Sequence, residues 1–148
     1  HVGAFAWRFA VVTTVVLALS VATGFVRPQP KAPDWWPLWV WGMVFLTALP
    51  EEVVFRGVIQ TWLHTRLERR PHGDVAAIAI AGLLFGIAHA AGGLVYVCLA
   101  TVSGMGYGWI YARTRSIAAA ILAHAGLNAV HFFLFAYPSL ATVPAAGI

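Results

Sequence analysis

The chain has 148 residues, 61% of them hydrophobic and only 9% charged, with net charge +4 and mean hydropathy +0.81. Soluble domains carry about 25% charged residues, so the composition excludes an ordinary soluble domain and describes an integral membrane protein of one helical bundle. The basic residues fall mostly in short segments between apolar runs, which is the positive-inside pattern rather than a nucleic-acid patch.

Five apolar runs follow one another, read against the ~20 residues that a span needs. They predict an all-α membrane protein, a bundle of about five transmembrane helices with a central polar cavity. The first helix is expected over residues 2–26. It is longer than a signal-peptide core and shows no clear cleavage site before Arg27. His1 stands where a Met would begin a chain, which leaves room for helices upstream. Pro28, Pro30 and Pro33 make residues 27–34 a loop. A second, long helix follows over residues 36–67, with a kink or break expected at Pro50, immediately before Glu51. A polar loop over 66–74 leads to a third helix over 74–90, and Gly92-Gly93 makes a tight turn. A fourth helix is expected over 94–112, with Cys98 packed inside the bundle. This one cysteine excludes an internal disulfide and a multi-cysteine metal site. Ser116 is the predicted N-cap of a fifth helix over 117–137, stopped by Pro138. Residues 1–34 thus form an entry helix and loop, 35–138 the functional core, and 139–148 a tail.

Trp35, Trp36, Trp39 and Trp41 suit one interfacial belt, and Trp62, Trp109 and Tyr111 the other. Arg66, Arg69, Arg70, Arg113 and Arg115 share one end, against Arg27 and Lys31 at the other, so the arginine-rich end is expected in the cytoplasm. Gly82 with Gly86, and Gly104 with Gly108, are small-xxx-small pairs that predict close packing of the third and fourth helices.

The polar residues inside these runs are few. Glu51, Glu52 and Arg56 lie on the second helix, Phe85 and His89 on the third, and His124, Asn128 and His131 on the fifth. An unpaired charge at a bilayer centre costs ~2.5–3.5 kcal/mol, so a cluster of three argues for a task. At ~1.5 Å per residue, Glu51 lies roughly 20 Å below the arginine-rich end, His89 roughly 22 Å, His124 roughly 12 Å and Asn128 roughly 18 Å. One layer can therefore hold all four. Glu52 and Arg56, at i and i+4 with the acid first, predict an ion pair. Glu51, turned about 100° away, is left to face a cavity as a general base. His89 could hold a water with Glu51. His124 and Asn128, one turn apart, can donate to an oxyanion. These are the parts for water attack on a carbonyl. His131 is expected to be a packing histidine near the far interface, His64 and His72 to be solvated, and Arg8 to snorkel.

In order, Glu51-Glu52-x-x-x-Arg56, Phe85-x-x-x-His89 and His124-x-x-x-Asn128 resemble the motifs of the CPBP family of intramembrane proteases, which includes type II CAAX prenyl endopeptidases and bacteriocin-processing or immunity relatives. The resemblance covers about residues 46–133. It implies a helical membrane fold with a cavity open to the cytoplasm, and a glutamate-type endopeptidase acting on a membrane-associated protein or peptide. It further implies that Glu51 and His89 activate water, that His124 and Asn128 stabilise the oxyanion, and that Glu52, Arg56 and Phe85 support them. No cofactor and no nucleic acid are expected, and the expected location is the bacterial inner membrane.

Four other readings compete. A zinc protease would use Glu51 or Glu52 with His89 and His124 as ligands, although the HExxH spacing is absent. A rhomboid-like serine protease would use Ser103 in Thr101-Val102-Ser103-Gly104, but Thr101 stands where a glycine is wanted and His124/Asn128 follow the serine. A non-enzymatic immunity or partner protein could keep the same fold for binding. A proton-coupled transporter would use Glu51 as relay, but such proteins usually need more helices or repeats.

Overall fold

The computed structural model describes residues 2–138, and the tail beyond them lies outside the described residues. Its elements are α1 (Val2–Ala22), β1 (Arg27–Pro28), α2 (Trp36–Leu67), α3 (Gly73–Ala88), α4 (Gly93–Thr114), α5 (Ile117–Leu134) and β2 (Phe135–Ala136). Among the described residues four helices, α1, α2, α4 and α5, are long and apolar enough to cross a membrane. The fifth, α3, has 16 residues, which is about 24 Å of helix against a hydrocarbon core of about 30 Å. It is therefore too short to cross the hydrocarbon core by itself. His89 caps it with its own N–H bonded to Gly86 O at 3.0 Å. A 3-10 turn, Ala90–Gly92, and Gly93 at φ +83° then reverse the chain into α4.

Pro50 does not break α2. The helix runs unbroken from Trp36 to Leu67, and two π-helical stretches, Met43–Ala48 and Val53–Gln60, flank one α-helical turn, Leu49–Glu52. Proline has no N–H and its ring crowds the carbonyl four residues back. Wider i→i+5 turns accommodate such defects, and just before Pro50 the Leu49 N–H bonds Val44 O. The expected break is replaced by widened turns on both sides of Glu51 and Glu52.

Three further expectations are corrected. The first helix stops at Ala22 rather than residue 26, and Gly24 at φ +69° turns the chain. The fifth ends at Leu134 rather than 137, because Phe135–Ala136 pairs antiparallel with Arg27–Pro28. Gln29 N–H donates to Leu134 O and Lys31 N–H to Phe133 O, each at 2.8 Å, so the proline-rich loop is strapped across the end of α5. Cys98 is exposed: it lies on the outer face of α4, where lipid suits a thiol as well as a packed interior does. The expected N-cap of the fifth helix is present, and the aromatic and basic residues at the helix ends make the following contacts. Ser116 Oγ accepts from Ala119 N–H at 3.2 Å as the N-cap of α5. Trp35, Trp36 and Trp41 are exposed, while Trp39 stacks on Phe132 with centroids 4.0 Å apart. Arg8 lies over the rings of Trp7 and Trp109. His64, expected to be solvated, is part-exposed and pairs with Asp74 at 2.7 Å.

Lipid tails are as apolar as leucine, so helix association here rests on close packing rather than on the hydrophobic effect. The buried residues Val12, Val16, Phe85, Ala100, Tyr107, Ile110, Ala123 and Leu127 supply it from α1, α3, α4 and α5. The glycine pairs set the α3–α4 distance. A Cβ on Gly82 would sit 2.6 Å from Met105 Cγ, and one on Gly86 would strike the Thr101 hydroxyl and lie 2.7 Å from Val97 O. Gly86→Ala must therefore push α3 away from α4, at a cost of about 1–3 kcal/mol typical of overpacking. Thermal unfolding in detergent is expected to show that loss, whereas Gly42→Ala, with nothing within 4 Å of the added carbon, should leave the midpoint unchanged or raise it.

Candidate active site

Glu52 and Arg56 are both fully buried, and Arg56 Nε donates to Glu52 Oε2 at 2.8 Å, as their spacing predicts. Buried charge must be paired and hydrogen-bonded to be tolerable. Arg56 meets part of that need through aromatic faces, its guanidinium lying 5.1 Å from the Phe85 ring centre and 5.9 Å from those of Phe55 and Tyr107. Glu52 has a second partner that helical spacing cannot reveal: its Oε1 lies 2.9 Å from His124 Nδ1 on α5. Glu52 thus ties α2 to α5.

Two hydrogen bonds set the ring orientations. His89 Nδ1 lies 2.8 Å from Phe85 O, a carbonyl that can only accept, so Nδ1 carries the proton. By the same logic His124 donates from Nδ1 to the Glu52 carboxylate. Both rings then present Nε2 to one point. His89 Nε2 is 3.9 Å and His124 Nε2 4.0 Å from Glu51 Oε2. Glu51 Oε2 is itself buried and without a hydrogen-bond partner, although its side chain as a whole is 29% exposed. Gaps near 4 Å are too long for direct hydrogen bonds. They are the right length for one water to bridge.

His89, His124 and Asn128 line a single cavity of about 140 Å³, with Met43 and Thr47 of α2, Phe85, and Ser103 and Tyr107 of α4 also in its wall. Asn128 Nδ2 is held 3.2 Å from Met43 Sδ, a weak acceptor that a stronger one can displace. Phe85 is the packing centre of the site. It is 3% exposed, meets His124 edge-on at 5.7 Å and Phe55 at 5.1 Å, and lies 4.6 Å from the His89 ring. All seven residues singled out by the motifs, Glu51, Glu52, Arg56, Phe85, His89, His124 and Asn128, therefore gather on one side of the bundle interior.

Two contributors carry no polar motif signal. Tyr107 stacks on His124, with centroids 4.8 Å apart and planes 14° apart, and is 2% exposed. Its only signature in the sequence is its place between Gly104, Gly106 and Gly108, on the face where α4 packs closely. Tyr96 meets the His89 ring edge-on at 5.5 Å. His131, expected to pack at the far interface, instead lines the cavity. Ser103 also lines it, but its hydroxyl donates back to Leu99 O at 2.9 Å within its own helix. No group of three His, Cys, Asp or Glu side chains that could hold a metal ion occurs among the described residues.

Residues 33–130 match the family model of the Type II CAAX prenyl endopeptidase Rce1-like family, a span of more than half the chain that includes every motif residue above. No curated protein and no solved structure matches the chain.

Proposed function

The chain belongs to the Type II CAAX prenyl endopeptidase Rce1-like family, and from that premise we propose that Glu51, His89, His124 and Asn128 are the centre at which it cuts its substrate, with an activated water as nucleophile. The chain is an integral-membrane peptide-bond hydrolase of the CAAX-protease type. What the geometry adds is a reading of how the bond is broken.

Glu51 Oε2 and His89 Nε2, 3.9 Å apart, are both acceptors. A water between them donates one hydrogen to each, which aims an oxygen lone pair into the cavity. As that oxygen attacks the carbonyl carbon of the scissile bond, Glu51 takes its proton. The carbonyl oxygen becomes an oxyanion facing the Asn128 amide and His124 Nε2. His124 can donate there only with both ring nitrogens protonated, and Glu52 on Nδ1 is then its counter-charge. Collapse of the tetrahedral intermediate breaks the C–N bond, and Glu51 returns the proton to the departing nitrogen. No metal is required by these steps. The observation that carries the reading is the meeting of two imidazole nitrogens, from the end of α3 and from α5, at one unpartnered carboxylate oxygen of α2.

The proposed substrate is a peptide tethered to the membrane. A prenylated cysteine followed by a short C-terminal segment is the form that the family description names. The proposed setting is a bacterial inner membrane with the cavity mouth toward the cytoplasm, a reading supported by the five arginines grouped at one end of the chain's spans. The test is cleavage of prenylated CAAX peptides and other lipid-tethered peptides by the purified protein in liposomes. The expected result is cleavage whose rate is unchanged by a zinc chelator and kept in Ser103→Ala. Activity lost on chelation and restored by zinc would overturn the metal-free reading. A dead Ser103→Ala protein that folds would overturn the water-nucleophile one.

A further inference from the structure

At the end of the cavity away from Ser116 lies a second polar pair that the reaction above does not use. His131 is only 8% exposed and lines the cavity together with Tyr137, Tyr96 and Phe25. Its Nδ1 is 3.3 Å from the Tyr137 hydroxyl, and its Nε2 is buried with no partner. A buried polar atom without a partner costs about 1–3 kcal/mol, so a ligand that supplies the partner recovers that free energy. We propose that His131, oriented by Tyr137, is a substrate subsite that donates a hydrogen bond to an acceptor oxygen of the bound peptide about three residues from the bond that is cut. The inference rests on the peptidase reading of the same cavity and adds where the peptide is gripped.

In the proposed tautomer the Tyr137 hydroxyl, 3.3 Å away, donates to His131 Nδ1. Burial, with a smaller contribution from Tyr96, pushes the Tyr137 phenol up to about 12. A phenol donating to Nδ1 leaves the imidazole proton on Nε2. That free N–H calls for a carbonyl or carboxylate oxygen. The distance follows from the helix. His131 is seven residues beyond His124 on α5, roughly 10 Å along the axis. An extended peptide advances roughly 3.3 Å per residue, so this span equals about three residues. The strap formed by Arg27–Pro28 on Phe135–Ala136 holds the segment leading into Tyr137. Lys31 Nζ also donates to Phe135 O and fixes that strap from outside.

The probe is a fluorescent prenylated peptide with three residues after the cysteine, as the free acid and as the carboxamide, bound to the Glu51→Gln protein in detergent. Adding His131→Phe is expected to weaken binding roughly 3–10-fold, the worth of one hydrogen bond. His131→Gln, which keeps a donor, should restore affinity to within about twofold, and Tyr137→Phe should give a smaller loss than His131→Phe. A loss confined to the free acid identifies a terminal carboxylate as the acceptor; an equal loss with both forms identifies a backbone carbonyl. A peptide ending at the first residue after the cysteine should bind the parent and His131→Phe proteins equally, which a packing role for His131 would not produce. Equal affinity of parent and His131→Phe for the long peptides, or the same loss for the short one, overturns the subsite. If the wild type cuts no such peptide and the Glu51→Gln protein binds none, the peptidase reading fails first and the subsite with it.

Discussion

Glu51→Gln is expected to lower kcat on a tethered peptide by roughly 10²–10⁴-fold, the usual worth of a positioned general base. The change keeps shape and hydrogen-bonding atoms but cannot accept the water's proton. In barrier height the loss is about 3–5 kcal/mol, taking 1.36 kcal/mol per tenfold. Stability should change little, because Glu51 Oε2 has no hydrogen-bond partner to lose. Peptide binding should persist for the same reason. Single-turnover cleavage with a parallel thermal unfolding curve separates the two effects. A Glu51→Gln protein that folds and cuts at the wild-type rate removes Glu51 from the chemistry.

The neighbouring carboxylate should behave in the opposite way. Glu52→Ala leaves the fully buried Arg56 guanidinium without its counter-charge and His124 without its orienting acceptor. Removing one partner of a buried ion pair costs about 3–5 kcal/mol. Against a total stability of about 5–15 kcal/mol, that is enough to lower the unfolding midpoint sharply and reduce the yield of folded protein. Arg56→Met should cost less. The Glu52 carboxylate then still accepts from His124 Nδ1 at 2.9 Å, and the methionine fills the apolar space among Phe55, Phe85 and Tyr107. Thermal unfolding in one detergent ranks the two variants. The order Glu52→Ala well below Arg56→Met is expected. The reverse order would mean that Glu52 is not held by two partners. Glu51 and Glu52 are adjacent, yet one should matter for rate and the other for the fold.

Much of this was legible in the chain because its logic is local. The apolar runs, the Ser116 cap and the Glu52–Arg56 spacing depend on residues within one or two turns. The common depth of Glu51, His89, His124 and Asn128 needs only the helical rise. What was not legible depends on meetings between distant segments or on backbone adjustment. The Glu52–His124 bond joins α2 to α5, and no periodicity reports it. The strap between Arg27–Pro28 and Phe135–Ala136 shortens α5 by using backbone groups that a helix would otherwise pair internally. That shortening frees Tyr137 to meet His131, which reads in sequence as one more histidine near an interface. At Pro50 the missing N–H indicated a defect, but two remedies exist, and the folded helix takes π-helical widening rather than a break. Tyr107 is silent in sequence because an aromatic residue on an apolar helix has no pattern that separates packing against lipid from stacking on a histidine. Cys98 shows the same ambiguity, since lipid and protein interior are equally apolar to a thiol.

The central claim is that the imidazole at the end of α3 and the His/Asn pair of α5, which line one cavity, act on a single peptide bond together with the Glu51 carboxylate that α2 brings within about 4 Å of both histidines. A structure of the Glu51→Gln protein with a prenylated peptide bound tests it most directly. The account predicts the scissile carbonyl oxygen within hydrogen-bond distance of Asn128 Nδ2 and His124 Nε2, with its carbon facing the gap between position 51 and His89. A peptide seated outside this cavity, or with its carbonyl turned away from α5, would contradict it.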